Sequence, residues 1–173
     1  SPAACLAEDI GWAIVGHSER RHVIGEGEPL LVRKATAALN AGMNVIYCVG
    51  ETDDEREQGR TLDVLSNQVL NGVLKAAPDV QESIVVAYEP VWAIGTGKTA
   101  TPQTAQEAHA HIRSLVSSEV SEQAASSLRI LYGGSVKPGN IAGLMEQKDI
   151  DGGLVGGASL KAESFLEIIS YKE

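Results

Sequence analysis

Two residues able to move a proton stand where apolar runs of this sequence end. Glu89 follows Val85-Val86-Ala87-Tyr88, a short run without polar alternation, as expected of a buried strand. Pro90 pushes Glu89 away from helical geometry, and Ala93 to Gly97 forms a small, Gly-rich loop able to move. Thr101-Pro102 then reads as an N-cap with proline at the first helical position. A carboxylate at a strand end beside such a loop suits a base that must be shielded from water. The same residues also fit a surface glutamate ahead of an ordinary strand-to-helix turn. His17 follows Gly16 at the end of a second apolar run, Trp12 to Gly16. A neutral imidazole there could donate a hydrogen bond to a substrate oxygen, and a helical turn over Ser18 to Arg21 would favour the neutral ring. The plain alternative is a loop histidine held by a neighbour.

The neighbouring Glu19-Arg20-Arg21 reads either as a structural ion-pair knot or, for Glu19, as support orienting a catalytic cation. His22, His109 and His111 stand in polar surroundings and are expected on the solvated surface, whereas Cys48, inside an apolar strand, is expected to be a buried small hydrophobe. Three small-residue turns offer backbone N–H groups to an anion: Gly95-Thr96-Gly97, Gly133-Gly134-Ser135 and Gly156-Gly157. Glycine allows close backbone approach to a phosphate, which unpaired N–H groups bind without a side-chain cation. Any one of these is most simply a turn; three at successive strand ends make a stronger case. Gly97-Lys98-Thr99 does not complete a nucleotide P-loop, because no glycine stands at position 92, which is Trp92.

The elements that must carry these groups alternate. A short helix over Pro2 to Glu8, capped by Ser1, precedes strands at Trp12–Gly16, Val45–Val49, Ile84–Tyr88, Arg129–Tyr132 and Asp151–Val155. Helices are predicted between and after them, at Glu28–Ala41, Asp53–Lys75, Pro102–Glu119, Gly139–Gln147 and Ala162–Tyr171. Inward-facing positions on the third of these are Ala105, Ala108, Ile112 and Leu115. This alternation implies parallel strands covered by helices, an α/β fold in one domain over residues 1–173. In barrels and open sheets alike, ligands bind at the carboxyl ends of the strands, where His17, Glu51, Glu89, Ser135 and Gly156 fall.

The bulk numbers narrow the partners. The chain has 173 residues with 43% hydrophobic, enough for a real core and against global disorder. A net charge of −9 argues against a nucleic-acid or acidic-membrane surface, without excluding a local positive spot. Cys5 and Cys48 lack CxxC spacing and read as reduced thiols of a cytoplasmic protein. No apolar run approaches a membrane span.

Four stretches, GHSERR (Gly16 to Arg21), AYEPVWAIGTGKTATP (Ala87 to Pro102), YGGSV (Tyr132 to Val136) and GGLVGGASLK (Gly153 to Lys161), together resemble one family, triosephosphate isomerase. The resemblance covers essentially the whole chain. It implies an incomplete (β/α)8 TIM barrel and a cofactor-free isomerase of glycolysis and gluconeogenesis, interconverting dihydroxyacetone phosphate and glyceraldehyde 3-phosphate. It implies Glu89 as base, His17 as electrophile, Gly95, Ser135, Gly156 and Gly157 as phosphate donors, and Val91 to Lys98 as a lid. The pairing of a glutamate base with a neutral histidine is the family's known assignment. Against the family's eight strands five are read here, beginning with the helix before its fourth. The asparagine and lysine that close the family's first strand have no counterpart. Five parallel strands cannot close an eight-strand barrel, so a homo-oligomer covering the free edges and open face is expected. The competing reading is a non-catalytic, phosphate-binding or self-associating remnant of the barrel.

Overall fold

A computed structural model describes residues 1–80, 82–94 and 99–172. Five strands form one sheet in the order β1-β2-β3-β4-β5: Trp12–Val15, Asn44–Val49, Ile84–Tyr88, Ile130–Tyr132 and Gly152–Gly153. Every pairing is parallel, with Val15 opposite Tyr47, Val49 opposite Tyr88, and Tyr132 between Tyr88 and Gly153. A sequential order without a reversal is the arc of an α/β barrel. A doubly wound sheet would reverse its order at a switch point. Right-handed crossovers then lay the helices on one side of the sheet.

Strand parity shows where the core sits. Val45, Tyr47, Val49, Ile84, Val86, Tyr88, Ile130 and Tyr132 all belong to the buried cluster packed under the helices. Successive strand residues point to opposite faces, so Ile14, Ile46, Cys48, Val85, Ala87 and Leu131 line the other face, which continues to Glu89. At the β1 edge that second face meets solvent: Ile10, Trp12 and Ile14 are about half exposed. The strand pattern thus separates a finished apolar layer from an open one.

The helices are α1 (Pro2–Ala7), α2 (Ser18–His22), α3 (Glu28–Asn40), α4 (Asp53–Glu57), α5 (Thr61–Gln68), α6 (Leu74–Ala76), α7 (Pro102–Glu119), α8 (Glu122–Ser127), α9 (Pro138–Met145) and α10 (Ala162–Ile169). Ser1 and Thr101 cap α1 and α7 through their side chains, and both helices take proline in their first turn. The expected helix from Asp53 to Lys75 is instead broken. Gly59 adopts a left-handed φ of 69° after α4, and a π-helical turn at Val69–Val73 joins α5 to α6. Leu62, whose spacing puts it in line with Leu65, Val69 and Val73, is 48% exposed beyond that break. Helix α8, capped by Ser121, is an element the sequence reading lacks.

His109 corrects another expectation. It is fully buried on the inner side of α7, in line with Ala105, Ala108, Ile112 and Val116. Its ring meets Tyr88 edge-on at 5.8 Å, and Nδ1 lies 3.2 Å from the Asp149 carbonyl, to which it donates. Nε2 has no hydrogen-bond partner among the described residues. Burial lowers the His109 pKa to about 4, against the opposing pull of the Asp149 carbonyl. The unfolded chain therefore takes up this proton first, and the stability contributed by the neutral ring is lost as pH falls from about 6.5 towards 4. His109→Gln is expected to remove on the order of 3 kcal/mol of that acid sensitivity, by the linkage of one pKa unit to about 1.4 kcal/mol. Urea titrations of both proteins between these pH values measure the difference.

Candidate active site

The strand ends place Glu89 and His17 on one cavity. Glu89 leaves β3 with its N–H bonded to the Val49 carbonyl at 2.7 Å, and its carboxylate turns to the inner face. Oε2 accepts the Ser18 N–H at 2.9 Å, and Oε1 lies 3.4 Å from His17 Nε2. His17 caps α2, and its Nδ1 accepts the Glu19 N–H at 3.4 Å. An accepting Nδ1 leaves the proton of the neutral ring on Nε2, the nitrogen that faces Glu89 and the cavity. The Glu89 carboxyl titrates above the usual carboxylate range because burial outweighs His17, the Ser18 N–H, the Cys48 thiol and the nearby charge of Arg21, which all favour the anion. Burial in turn pushes the Cys48 thiol up, so it stays a neutral group under the carboxylate.

Glycines make this burial possible. A Cβ on Gly50 would fall on the Glu89 carbonyl, and one on Gly133 would come within 2.9 Å of Glu89 Cγ. Gly133 also donates its N–H to the Tyr88 carbonyl at 2.7 Å. Of the Gly133-Gly134-Ser135 turn expected at an anion, the first glycine serves the close approach of Glu89 instead. Nothing in the sequence marks Gly50 for that role, because its neighbour Glu89 lies on another strand.

The cavity has a volume of about 570 Å³ and runs from His17 and Glu89 to Ser135, Gly156 and Gly157. The N–H groups of Ser135, Gly156 and Gly157 donate to no described residue, which leaves three donors for an anion in the same cavity as Glu89. Asn140 shapes this rim by donating to the Ser135 carbonyl at 2.8 Å and accepting the Lys137 N–H at 2.8 Å. Lys137 and Lys161 also line the cavity and bring positive charge to it. Neither lysine was singled out from the sequence, and only their closeness to the Gly-rich turns hinted at it. Gly95 and the Thr96 to Lys98 part of the expected lid lie outside the described residues.

Glu19, expected as a support, and Glu51, expected at the strand-end rim, sit elsewhere. The Glu19 side chain is exposed and lies off the cavity wall; its backbone N–H is what reaches His17. Glu51 is fully buried behind the wall, where it accepts from the Tyr88 hydroxyl at 3.1 Å and from Trp92 Nε1 at 2.8 Å. Arg56 stacks on the Trp92 ring at 4.2 Å and lies 3.7 Å from Glu51. Glu51 thus ties the turn Val91–Ala93 to the end of β3, beside Glu89.

A family model described as triosephosphate isomerase matches residues 1–172. The chain belongs to the triosephosphate isomerase family. A triosephosphate isomerase of Syntrophotalea carbinolica is 54% identical over 174 residues, covering 99% of this chain and 68% of the relative. One of Geobacter metallireducens is 54% identical over 172 residues, with the same coverage of 99% and 68%. A chloroplastic triosephosphate isomerase of Fragaria ananassa is 55% identical over 165 residues, covering 94% of this chain and 52% of the relative. The chain therefore spans between about half and two thirds of the length of these curated relatives. Five parallel strands with covering helices agree with a TIM-barrel member, and the family is one of isomerases.

The two glycines at Glu89 differ in what a methyl would strike. Gly50→Ala meets backbone that cannot yield and is expected to cost about 3 kcal/mol or more of stability, an overpacking penalty at its upper end. Gly133→Ala meets a side-chain methylene and is expected to cost about 1 kcal/mol while displacing the Glu89 carboxylate. Denaturant midpoints of the two variants check the order.

Proposed function

We propose that this chain carries the proton-transfer and phosphate-binding chemistry of a triosephosphate isomerase. The observation that carries the reading is a buried carboxylate, Glu89, 3.4 Å from the His17 imidazole, on one cavity with Ser135, Gly156 and Gly157, whose N–H groups donate to no described residue. In dihydroxyacetone phosphate, Glu89 takes a proton from the carbon next to the carbonyl. His17 Nε2–H donates to the carbonyl oxygen, where negative charge gathers in the enediolate. Glu89 returns the proton to the former carbonyl carbon, while the hydroxyl proton of the first carbon passes by way of His17 to the other enediolate oxygen, and glyceraldehyde 3-phosphate results with atoms balanced. A carboxyl titrating above its usual range is better matched to abstracting a weakly acidic proton near neutral pH. The phosphate would sit among the three N–H groups, with Lys137 and Lys161 adding positive charge. No cofactor enters this scheme.

We also propose that the chain works as a homo-oligomer. Ile10, Trp12 and Ile14 are apolar, about half exposed and next to the unpaired edge of β1, which suits a second copy laid against that edge. Sedimentation at micromolar concentration is expected to show a species heavier than one chain, and Trp12→Lys is expected to shift it towards the monomer. A compact monomer for the unaltered chain would overturn the proposal. The unpaired thiols of Cys5 and Cys48 suit a reducing compartment, and the cytoplasm is the compartment proposed. Among the described residues no helix is long and apolar enough to cross a membrane.

Glu89→Gln tests the reading directly. Turnover in a coupled triose phosphate assay is expected to vanish while the fold stays intact. The stability sign follows from the raised pKa: the folded protein prefers the protonated carboxyl, so ionisation costs stability as pH rises from about 4.3 through the folded value. The Gln variant is therefore expected to melt higher than the parent at pH 8. Residual turnover by Glu89→Gln would remove Glu89 as the base.

A further inference from the structure

Beyond the charge it brings near Glu89, Arg21 lies in none of the roles assigned so far, and its surroundings are unusual for a residue of a five-residue helix. Its Nε donates to the Gly16 carbonyl at 2.9 Å, and one terminal nitrogen donates to the Cys48 carbonyl at 2.8 Å. Gly16 stands just before His17, and Cys48 stands just past the last β1–β2 pair, Val15 with Tyr47. Gly16 turns β1 away with a left-handed φ of 77°. Where the strand pairing stops, the guanidinium spans the two chains in its place.

The other side of Arg21 is held as firmly. Glu28 accepts from it at 2.6 and 3.3 Å, a two-pronged contact that fixes the guanidinium plane. Tyr47 donates its hydroxyl to Glu28 at 2.7 Å, and its ring lies 5.9 Å from the guanidinium carbon. Burial beside Glu28 keeps the Tyr47 phenol protonated, hence a donor. Behind Glu28 the π-helical turn brings Gly72 so near that a Cβ there would strike the carboxylate and come within 2.8 Å of the Tyr47 hydroxyl. The Arg21 side chain is only 9% exposed, so it is a fixed part of the wall.

We propose that Arg21 is a positioning residue of the site: by binding the Gly16 and Cys48 carbonyls together, it sets the spacing of the β1 and β2 ends and so the placement of His17 and the Ser18 N–H against Glu89. The proposal rests on the reading that His17 and Glu89 act as a pair. Glu89 is tied to the same frame, because its N–H is bonded to Val49, the residue after Cys48. A displaced β1 end would carry His17 and Ser18 away from the carboxylate together.

Arg21→Lys tests this while keeping the charge, since one ammonium cannot span both carbonyls and both Glu28 oxygens. The titration of Glu89, followed by NMR in the full chain, is expected to move further up, because two groups favouring its anion withdraw. Turnover of triose phosphate, measured in parallel, is expected to fall about 10²-fold in kcat with little change in KM, the scale of a displacement of about 1 Å. Arg20→Lys, on the outward pair with Glu26, is expected to change neither. Tyr47→Phe removes one bond to Glu28 and is expected to move Glu89 in the same direction by less, and it carries the test if Arg21→Lys fails to fold. A lower melting temperature with an unmoved Glu89 titration, in whichever of these variants folds, would make Arg21 a stabilising residue only and overturn the proposal. A moved titration in a chain without turnover would instead uphold the clamp and overturn the isomerase reading.

Discussion

The structure depends on keeping a carboxylate buried at the end of a central strand. Isolated burial of an anion is costly, and the protein offsets it with neighbouring groups that favour the charged form. The Ser18 N–H donates to Glu89, the His17 ring lies 3.4 Å from it, and the Cys48 thiol and the charge of Arg21 also favour the anion. That solution demands thin walls. Gly50 and Gly133 stand on the flanking strands where any larger residue would meet Glu89 itself. The remaining cost shows as a carboxyl whose titration is raised by burial.

The parallel sheet supplies the geometry around this group. Strands in sequential order bring their carboxyl ends to one rim, so β1 delivers His17, β3 delivers Glu89, and the segments after β4 and β5 deliver the N–H groups of Ser135, Gly156 and Gly157. Each contribution is short-range in sequence, yet the site is assembled across 140 residues, from His17 to Gly157. The helix-facing side of the sheet is a finished apolar layer, while the other side is open near β1. Rigidity at the rim and incompleteness at the edge therefore coexist in one sheet.

Much of this was legible in the residues. Val85 to Tyr88 had no polar alternation and became a fully buried strand; Thr101-Pro102 became a capped helix start. The family followed from long motifs and stands on a match over residues 1–172. What escaped the reading was what depends on pairs far apart in sequence. His109 has polar neighbours in sequence but shares a helical face with Ala105, Ala108 and Ile112, so periodicity rather than composition held its burial. The helix from Asp53 to Lys75 looked continuous because its apolar spacing survives the left-handed Gly59 and the π-helical turn. Glu51, at a strand end like Glu89, faces away from the cavity and binds Trp92, a distinction of strand parity that a one-residue change in register would reverse. Glu19 contributes through its backbone, which no side-chain pattern reveals.

The two tryptophans occupy different worlds in this molecule. Trp92 lies under the Arg56 guanidinium at the root of the loop that follows Glu89, whereas Trp12 stands 45% exposed on the edge strand. Their fluorescence is therefore a built-in pair of reporters with separate environments. Emission from Trp12 follows whatever dries the sheet edge, and emission from Trp92 follows rearrangement beside Glu89. Replacing either indole by phenylalanine leaves an optical signal for the other region alone, so changes at the edge strand and beside Glu89 become separable in one cuvette without any attached dye.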